Sequence, residues 1–241
     1  MKIANIYTIQ NQELYKDEEI VMILAHLMEH YDPTVFNNKQ HIILDNGIYE
    51  GFQVSTDIKP IIEMAETSGI PVTEIVVPDK FYDTDTTIRY FEENIEAIRE
   101  WSHKYQFMFV AHHANFEDFK RIMEYINNYD TTGLNISVGI PKKALFKRES
   151  DEAIEIYKQC KYPIHFLGLA DDSPFIDLNK VDKIVRSCDT SQLVTMIKND
   201  GEDVLNWTRP SQSEVIDLLN DNIDPKRTRE VARLIRQYFN K

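Results

Sequence analysis

The feature that most constrains this chain is a recurrence of short apolar runs. KIANIYTI (2–9), HIILD (41–45), EIVVPD (74–79), FMFVAH (107–112), NISVGI (135–140), IHFLGL (164–169) and KIVRSC (183–188) return at intervals of roughly 30 residues. Each is apolar on consecutive positions rather than alternate ones, and Ile, Val and Phe dominate. A strand with one wet face alternates, whereas a strand buried on both faces reads as an unbroken apolar run. Such runs, separated by helix-length stretches, predict a parallel sheet covered by helices.

Helical patterning fills the intervals, over 16–31, 57–68, 84–104, 115–129, 149–160, 211–221 and 225–240. Asp83 and Thr84 stand before one long pattern. Asn115 stands before FEDFKRIMEYI, with Glu117 and Asp118 in the first turn, where a cap and negative charge satisfy free N–H groups. Pro60, Pro71 and Pro141 fall at element boundaries. Seven β/α units, with an eighth, weakly marked strand inside 193–207, predict one α/β domain over 1–241. Its expected form is a (β/α)8 TIM-like barrel, with 208–241 a C-terminal helical part. The competing fold is a doubly wound open sheet, but the chain has only seven glycines and no G-x-G-x-x-G loop.

Composition narrows the class. Apolar residues at 42 % and charged residues at 28 % exclude a fibrous or disordered chain. A net charge of −13 argues against a surface coated for polyanions. Two cysteines, Cys160 and Cys188, cannot build a disulfide framework and point to a reducing compartment. The opening MKIANIYTIQNQELYKDEE lacks the apolar core of a signal peptide, and no run approaches the ~20 apolar residues of a membrane span. The expected location is the cytoplasm, with no membrane partner.

In β/α barrels chemistry sits at the C-terminal ends of the strands. Those ends here read Asp45-Asn46-Gly47, Pro78-Asp79, His112-His113, Gly139-Ile140-Pro141, Gly168 followed by Asp171-Asp172, and Asp189-Thr190-Ser191. Three carboxylates converging on one cavity would push their protonation equilibria apart. One could then act as acid or base while another stays ionised as a nucleophile, a combination suited to glycosyl transfer. The plainer role for each Asp is a cap on the next helix.

These segments resemble the tRNA-guanine transglycosylase family, β/α barrels that exchange guanine for a 7-deazaguanine through a covalent glycosyl-enzyme. LDNGIYEG (44–51) is similar to the family's acid/base segment, implying Asp45 as general acid/base and Tyr49 as the stacking aromatic. VVPDKFYD (76–83) implies Asp79 as a reader of the base edge, and FVAHHA (109–114) puts His112 where the family carries a base-reading Gln. ISVGIP (136–141) implies a backbone contact near Gly139. IHFLGLADD (164–172) places Leu167 and Gly168 on the far face of the base. RSCDTS (186–191) makes Asp189 the nucleophile. The family's zinc subdomain is absent, and QLVTM stands where arginines follow its nucleophile. The chain is therefore closer to compact bacteriophage members, in a host cell's cytoplasm. The resemblance implies base exchange in DNA before tRNA, a nucleobase or 7-deazaguanine as small-molecule partner, a homodimer as assembly, and no metal or other cofactor. The alternatives are an N-glycosidase acting on free nucleosides or nucleotides, and a non-catalytic barrel that binds a nucleobase or a protein.

Other patterns compete. His26-Leu-Met-Glu29-His30 matches the H-x-x-E-H of inverted zinc peptidases, with a helix face as the plainer reading. Of His112 and His113 only one can enter the cavity, because neighbouring strand residues face opposite ways. His41 and His165 read as core or lid residues, and Trp101, Tyr105 and Phe107 as core. Lys142, Lys143, Lys147 and Arg148 follow a strand at the expected mouth and are candidates for phosphate contact. The basic residues of 225–240 read as a solvated helix face.

Overall fold

The computed structural model describes residues 2–37, 40–48, 55–141, 150–168, 184–190 and 224–239. Eight parallel strands form the barrel: β1 (Lys2–Asn5), β2 (Ile20–Leu24), β3 (His41–Asp45), β4 (Glu74–Val76), β5 (Gln106–Val110), β6 (Ile136–Pro141), β7 (Ile164–Leu167) and β8 (Val185–Thr190). Hydrogen-bonded neighbours run β1-β8-β7-β6-β5-β4-β3-β2, and β1 and β2 come together at the seam, giving a nearly closed (β/α)8 barrel. The outer layer includes α1 (Lys59–Thr67), α2 (Thr84–Glu93), α3 (Ile95–Trp101), α4 (Phe116–Asn128), α5 (Ser150–Gln159) and α6 (Pro225–Phe239). The basic face of α6 is engaged in part: Arg229 reaches Glu13 at 3.4 Å and Asp17 at 4.0 Å.

The eighth strand is not where its expected weak signal lay. It is β2, inside the stretch 16–31 that carries helical patterning; 193–207 and the predicted helix 211–221 lie outside the described residues. IVMIL is buried at all five positions, so both faces of the strand are covered. A short, wholly apolar run suits a buried strand or a buried helix equally, and here the following AHLMEH extended the helical period past the strand's end. Instead of one helix the segment folds as a 3₁₀ turn (Ile9–Asp17), β2, and a second 3₁₀ turn (Ala25–His30). At three residues per turn, His26 and His30 are not stacked on one face, so the paired histidines of a zinc peptidase do not form. No cluster of three or more metal-binding side chains occurs among the described residues.

The long helix expected over 84–104 is two helices meeting at Asn94, and the side chain of Asn94 explains the break. Its Nδ2 donates to Tyr90 O (2.7 Å) and Thr56 O (2.9 Å), while its Oδ1 accepts from Ile58 N (2.8 Å). Asn94 thus ties the helix junction to the loop that enters α1. The predicted caps are present: Asp83 accepts from Thr86 N (2.9 Å) and Asn115 from Asp118 N (3.0 Å).

Consecutive strand residues such as Phe107, Met108, Phe109 and Val110 are all buried, as their unbroken apolar run requires. The lower barrel is different, because it is polar. Fully buried Glu74 on β4 binds Arg186 on β8 (2.8 Å), Ser137 on β6 and His41 on β3 (2.5 Å). Neither β6 nor β8 is a sheet neighbour of β4, so these bonds cross the barrel's interior. A register shift between β7 and β8 admits the crossing: Ile164 pairs Val185 while His165 pairs Ser187, leaving Arg186 as the extra residue. Such a bulge lets successive side chains, here Arg186 and Ser187, turn to one side. Burial opposes the charge on Glu74, but the His41 hydrogen bond and the Arg186 guanidinium outweigh it and hold the carboxyl below its ordinary value.

Candidate active site

Two groups of polar side chains meet at the C-terminal strand ends. The first is built by the loops after β3, β4 and β5. Asp79, 2 % exposed, accepts from Asn46 Nδ2 at 2.8 Å through Oδ1 and pairs through Oδ2 with His112 Nε2 at 2.7 Å. Asn46 also donates to Val77 O (3.2 Å), which anchors it to the strand end. His112 is held from behind by its own carbonyl, which accepts from Thr84 Oγ1 at 2.9 Å. Phe81 lies edge-on to the imidazole, with ring centroids 4.9 Å apart. The turn that places Phe81 forces Tyr82 into the left-handed region, at φ 56°, an uncommon conformation for a bulky residue. Among the described residues Nδ1 of His112 has no hydrogen-bond partner. A carboxylate bound to one imidazole nitrogen keeps the proton there and leaves the other nitrogen's lone pair available as a base.

The second group joins β7 and β8. Asp189 Oδ1 takes His165 Nε2 at 3.1 Å, and Gly168 N donates to both Asp189 oxygens, at 3.0 and 3.2 Å. Gly168 has φ 66°, which a side chain would resist; this conformation turns its N–H toward the carboxylate. Below it, Gly139 leaves room that a side chain would fill, since an added Cβ would stand 2.8 Å from Met108 Sδ and 2.9 Å from Leu167 Cδ1. Cys188, next in the strand, is buried, and burial together with the charge of Asp189 pushes its thiol well above the ordinary range.

The structure therefore brings Asp79 together with His112, and Asp189 with Gly168, while Met108 and Leu167 both close over Gly139. Asp45 closes β3 at the same end of the barrel. Tyr49, Lys142, Lys143, Lys147, Arg148, Asp171 and Asp172 lie outside the described residues. Three residues escaped the reading of the strand ends as reactive groups: Asn46, His165 and Ser187. Their signal was present as polar letters breaking otherwise apolar runs, H in IHFL and S in VRSCD. His113 follows the alternation expected for neighbours: its ring packs on Phe119 of α4, 5.2 Å between centroids, away from Asp79.

Comparison with known proteins corrects the transglycosylase expectation. No protein-family model matches the chain, and no curated protein matches it in sequence. Solved structures do match its fold. One is a protein provisionally assigned as a lyase/mutase, from Burkholderia cenocepacia J2315, at TM-score 0.52 and 11 % identity over 84 % of both chains. Another is oxaloacetate acetylhydrolase in complex with the inhibitor 3,3-difluorooxalacetate, at TM-score 0.52 and 11 % identity over 99 % of this chain and 90 % of that one. The shared feature is the barrel. These relatives in fold are not base-exchanging glycosyl transferases, and the assignments to that family, to 7-deazaguanine exchange in DNA and to N-glycosidase chemistry are withdrawn. The site agrees with the correction. Asp189, cast as a nucleophile, has its carboxylate engaged by Gly168 and His165, and hydrogen bonds of that kind blunt attack by the oxygens. Asp79, cast as a base reader, is already bound by Asn46 and His112. Asp79 and Asp189 are thus served by separate sets of partners, Asn46 and His112 for one and His165 and Gly168 for the other.

Proposed function

We propose that the chain is a lyase-type enzyme that cleaves a carbon–carbon bond in a small 2-hydroxy acid or hydrated 2-oxo acid, with His112 as general base. The observation that carries the reading is the His112–Asp79 pair, buried at adjacent strand ends, with no partner for Nδ1 of His112 among the described residues. Asp79 fixes the tautomer, and Nδ1 takes the proton of the substrate hydroxyl. The oxygen's electrons then form the new carbonyl as the neighbouring carbon–carbon bond breaks. The departing carbon, which must carry a carboxylate or carbonyl of its own, leaves as the enolate of that group and recovers a proton from the imidazolium. Asp189, held by Gly168 and His165, keeps lone pairs free to accept a second substrate hydroxyl and orient it. The barrel shared with a lyase/mutase and an acetylhydrolase supports this class of chemistry.

The test is a panel of 2-hydroxy and 2-oxo acids, oxaloacetate included, followed by proton NMR for cleavage products. Wild-type protein should cleave at least one of them. His112→Gln should lower kcat by about 10²- to 10⁴-fold, the usual worth of a general base. A folded wild-type protein that leaves the whole panel intact would contradict the reading, as would full activity in His112→Gln.

A further inference from the structure

Below Asp189 the polar groups of the barrel form one continuous chain. Arg186 on β8 donates from Nη1 to Gln106 Oε1 (2.8 Å), from Nη2 to Glu74 Oε2 (2.8 Å) and from Nε to Ser187 Oγ (3.2 Å). Ser187 Oγ lies 2.7 Å from His165 Nδ1, and His165 Nε2 lies 3.1 Å from Asp189 Oδ1. Both His165 and Ser187 are wholly buried. The chain runs from the polar floor of the barrel to its catalytic end.

Its direction follows from which groups can only give and which can only take. Arginine has no acceptor, so Ser187 Oγ accepts from Nε and must spend its own proton elsewhere. The acceptor within reach is His165 Nδ1. With Nδ1 accepting, the imidazole carries its single proton on Nε2 and donates it to Asp189. In the reverse arrangement Nδ1 would donate to Ser187, and the serine proton would have no acceptor among the described residues. An unsatisfied buried donor is costly, so the first arrangement is favoured.

We infer that His165 is a positioning residue, held as the Nε2–H tautomer by Asp189 on one side and by Arg186 acting through Ser187 on the other, and that this double hold keeps the Asp189 carboxylate in place at the mouth. The lock itself is a property of the buried chain; its value to turnover rests on the active site proposed above. Without the Nε2–H bond, Asp189 keeps Gly168 N but is free to rotate about it, so the loss should appear in kcat rather than in KM.

The experiment is two-bond ¹H–¹⁵N NMR on ¹⁵N-histidine-labelled protein, with the His165 signals assigned by their absence from His165→Asn. Wild type should show His165 as the pure Nε2–H tautomer. Ser187→Ala should keep the Nε2–H tautomer, which Asp189 still selects, but free the ring to turn, with kcat lowered about 3- to 10-fold at unchanged KM, and Ser187→Thr, which keeps the hydroxyl, should restore kcat. A wild-type His165 protonated on Nδ1, or on both nitrogens, would overturn the inference without any variant. An unchanged kcat in Ser187→Ala would do the same. The Nε2–H tautomer in a protein that cleaves none of the acids would uphold the lock and sink the proposed reaction.

Discussion

Glu74 is a fully buried carboxylate that stays ionised because His41, Arg186 and Ser137 surround it. Breaking such a set from one side leaves Arg186 facing the polar floor without its counter-charge. Glu74→Gln should therefore lose about 3 kcal/mol of stability at neutral pH, measured by urea denaturation. The acid dependence has a definite sign. The folded carboxyl sits below its ordinary value of 4.5, so its contribution is present above that pH and is lost as pH falls through the lower, folded value. The gap between wild type and Glu74→Gln should therefore shrink in acid; a gap that widens would contradict the assignment. The residues of this floor are legible only in retrospect. His41, Glu74 and Gln106 each open a strand, and Ser137 and His165 each stand second in one. Singly each looks like a strand boundary, and only closure of the sheet brings them across from one another.

At the scale of elements, the apolar runs marked seven strands because burial on both faces leaves a continuous signature. The eighth, β2, carried the same signature, but no turn-forming residue divides Leu24 from Ala25 and the letters that follow. A helical period drawn through 16–31 absorbed it. The break at Asn94 was hidden for a related reason. The apolar spacing runs unbroken through 84–104, and what divides the helix is a tertiary bond set, with Thr56 and Ile58 arriving from nearly 40 residues earlier. Asn94→Ala should strip three hydrogen bonds from a buried site and cost about 2–3 kcal/mol in thermal or urea unfolding. A loss under about 0.5 kcal/mol would mean that the junction is held by apolar packing alone. The caps Asp83 and Asn115, by contrast, were readable in advance, because a cap is a local bond between residues three apart.

For the whole molecule, the barrel was legible and the chemistry was misread, for one reason. A parallel strand leaving a barrel must turn at its C-terminal end, and small or acidic residues such as Asp45-Asn46-Gly47, Pro78-Asp79 and Gly168 suit those turns. Six such segments in order describe a β/α barrel more than one family of barrels, which is why the order of motifs suggested a base-exchanging enzyme that the comparisons do not support. The distinguishing information lies in who binds whom at the mouth: Asn46 and His112 on Asp79, and His165 and Gly168 on Asp189. Those pairings join strands that the linear chain separates by 20 to 30 residues or more, beyond the reach of any local motif. The central claim is that Nδ1 of His112 acts as the base at this mouth. Its most direct test is cleavage of the acid panel in D₂O, read by proton NMR, because the carbon released as an enolate takes its new hydron from the imidazolium. The product released as an enolate should carry one deuterium at that carbon in wild type, and its formation should disappear in His112→Gln and persist in His113→Gln. Labelled product that still forms in His112→Gln, or that is lost in His113→Gln alone, would contradict the assignment.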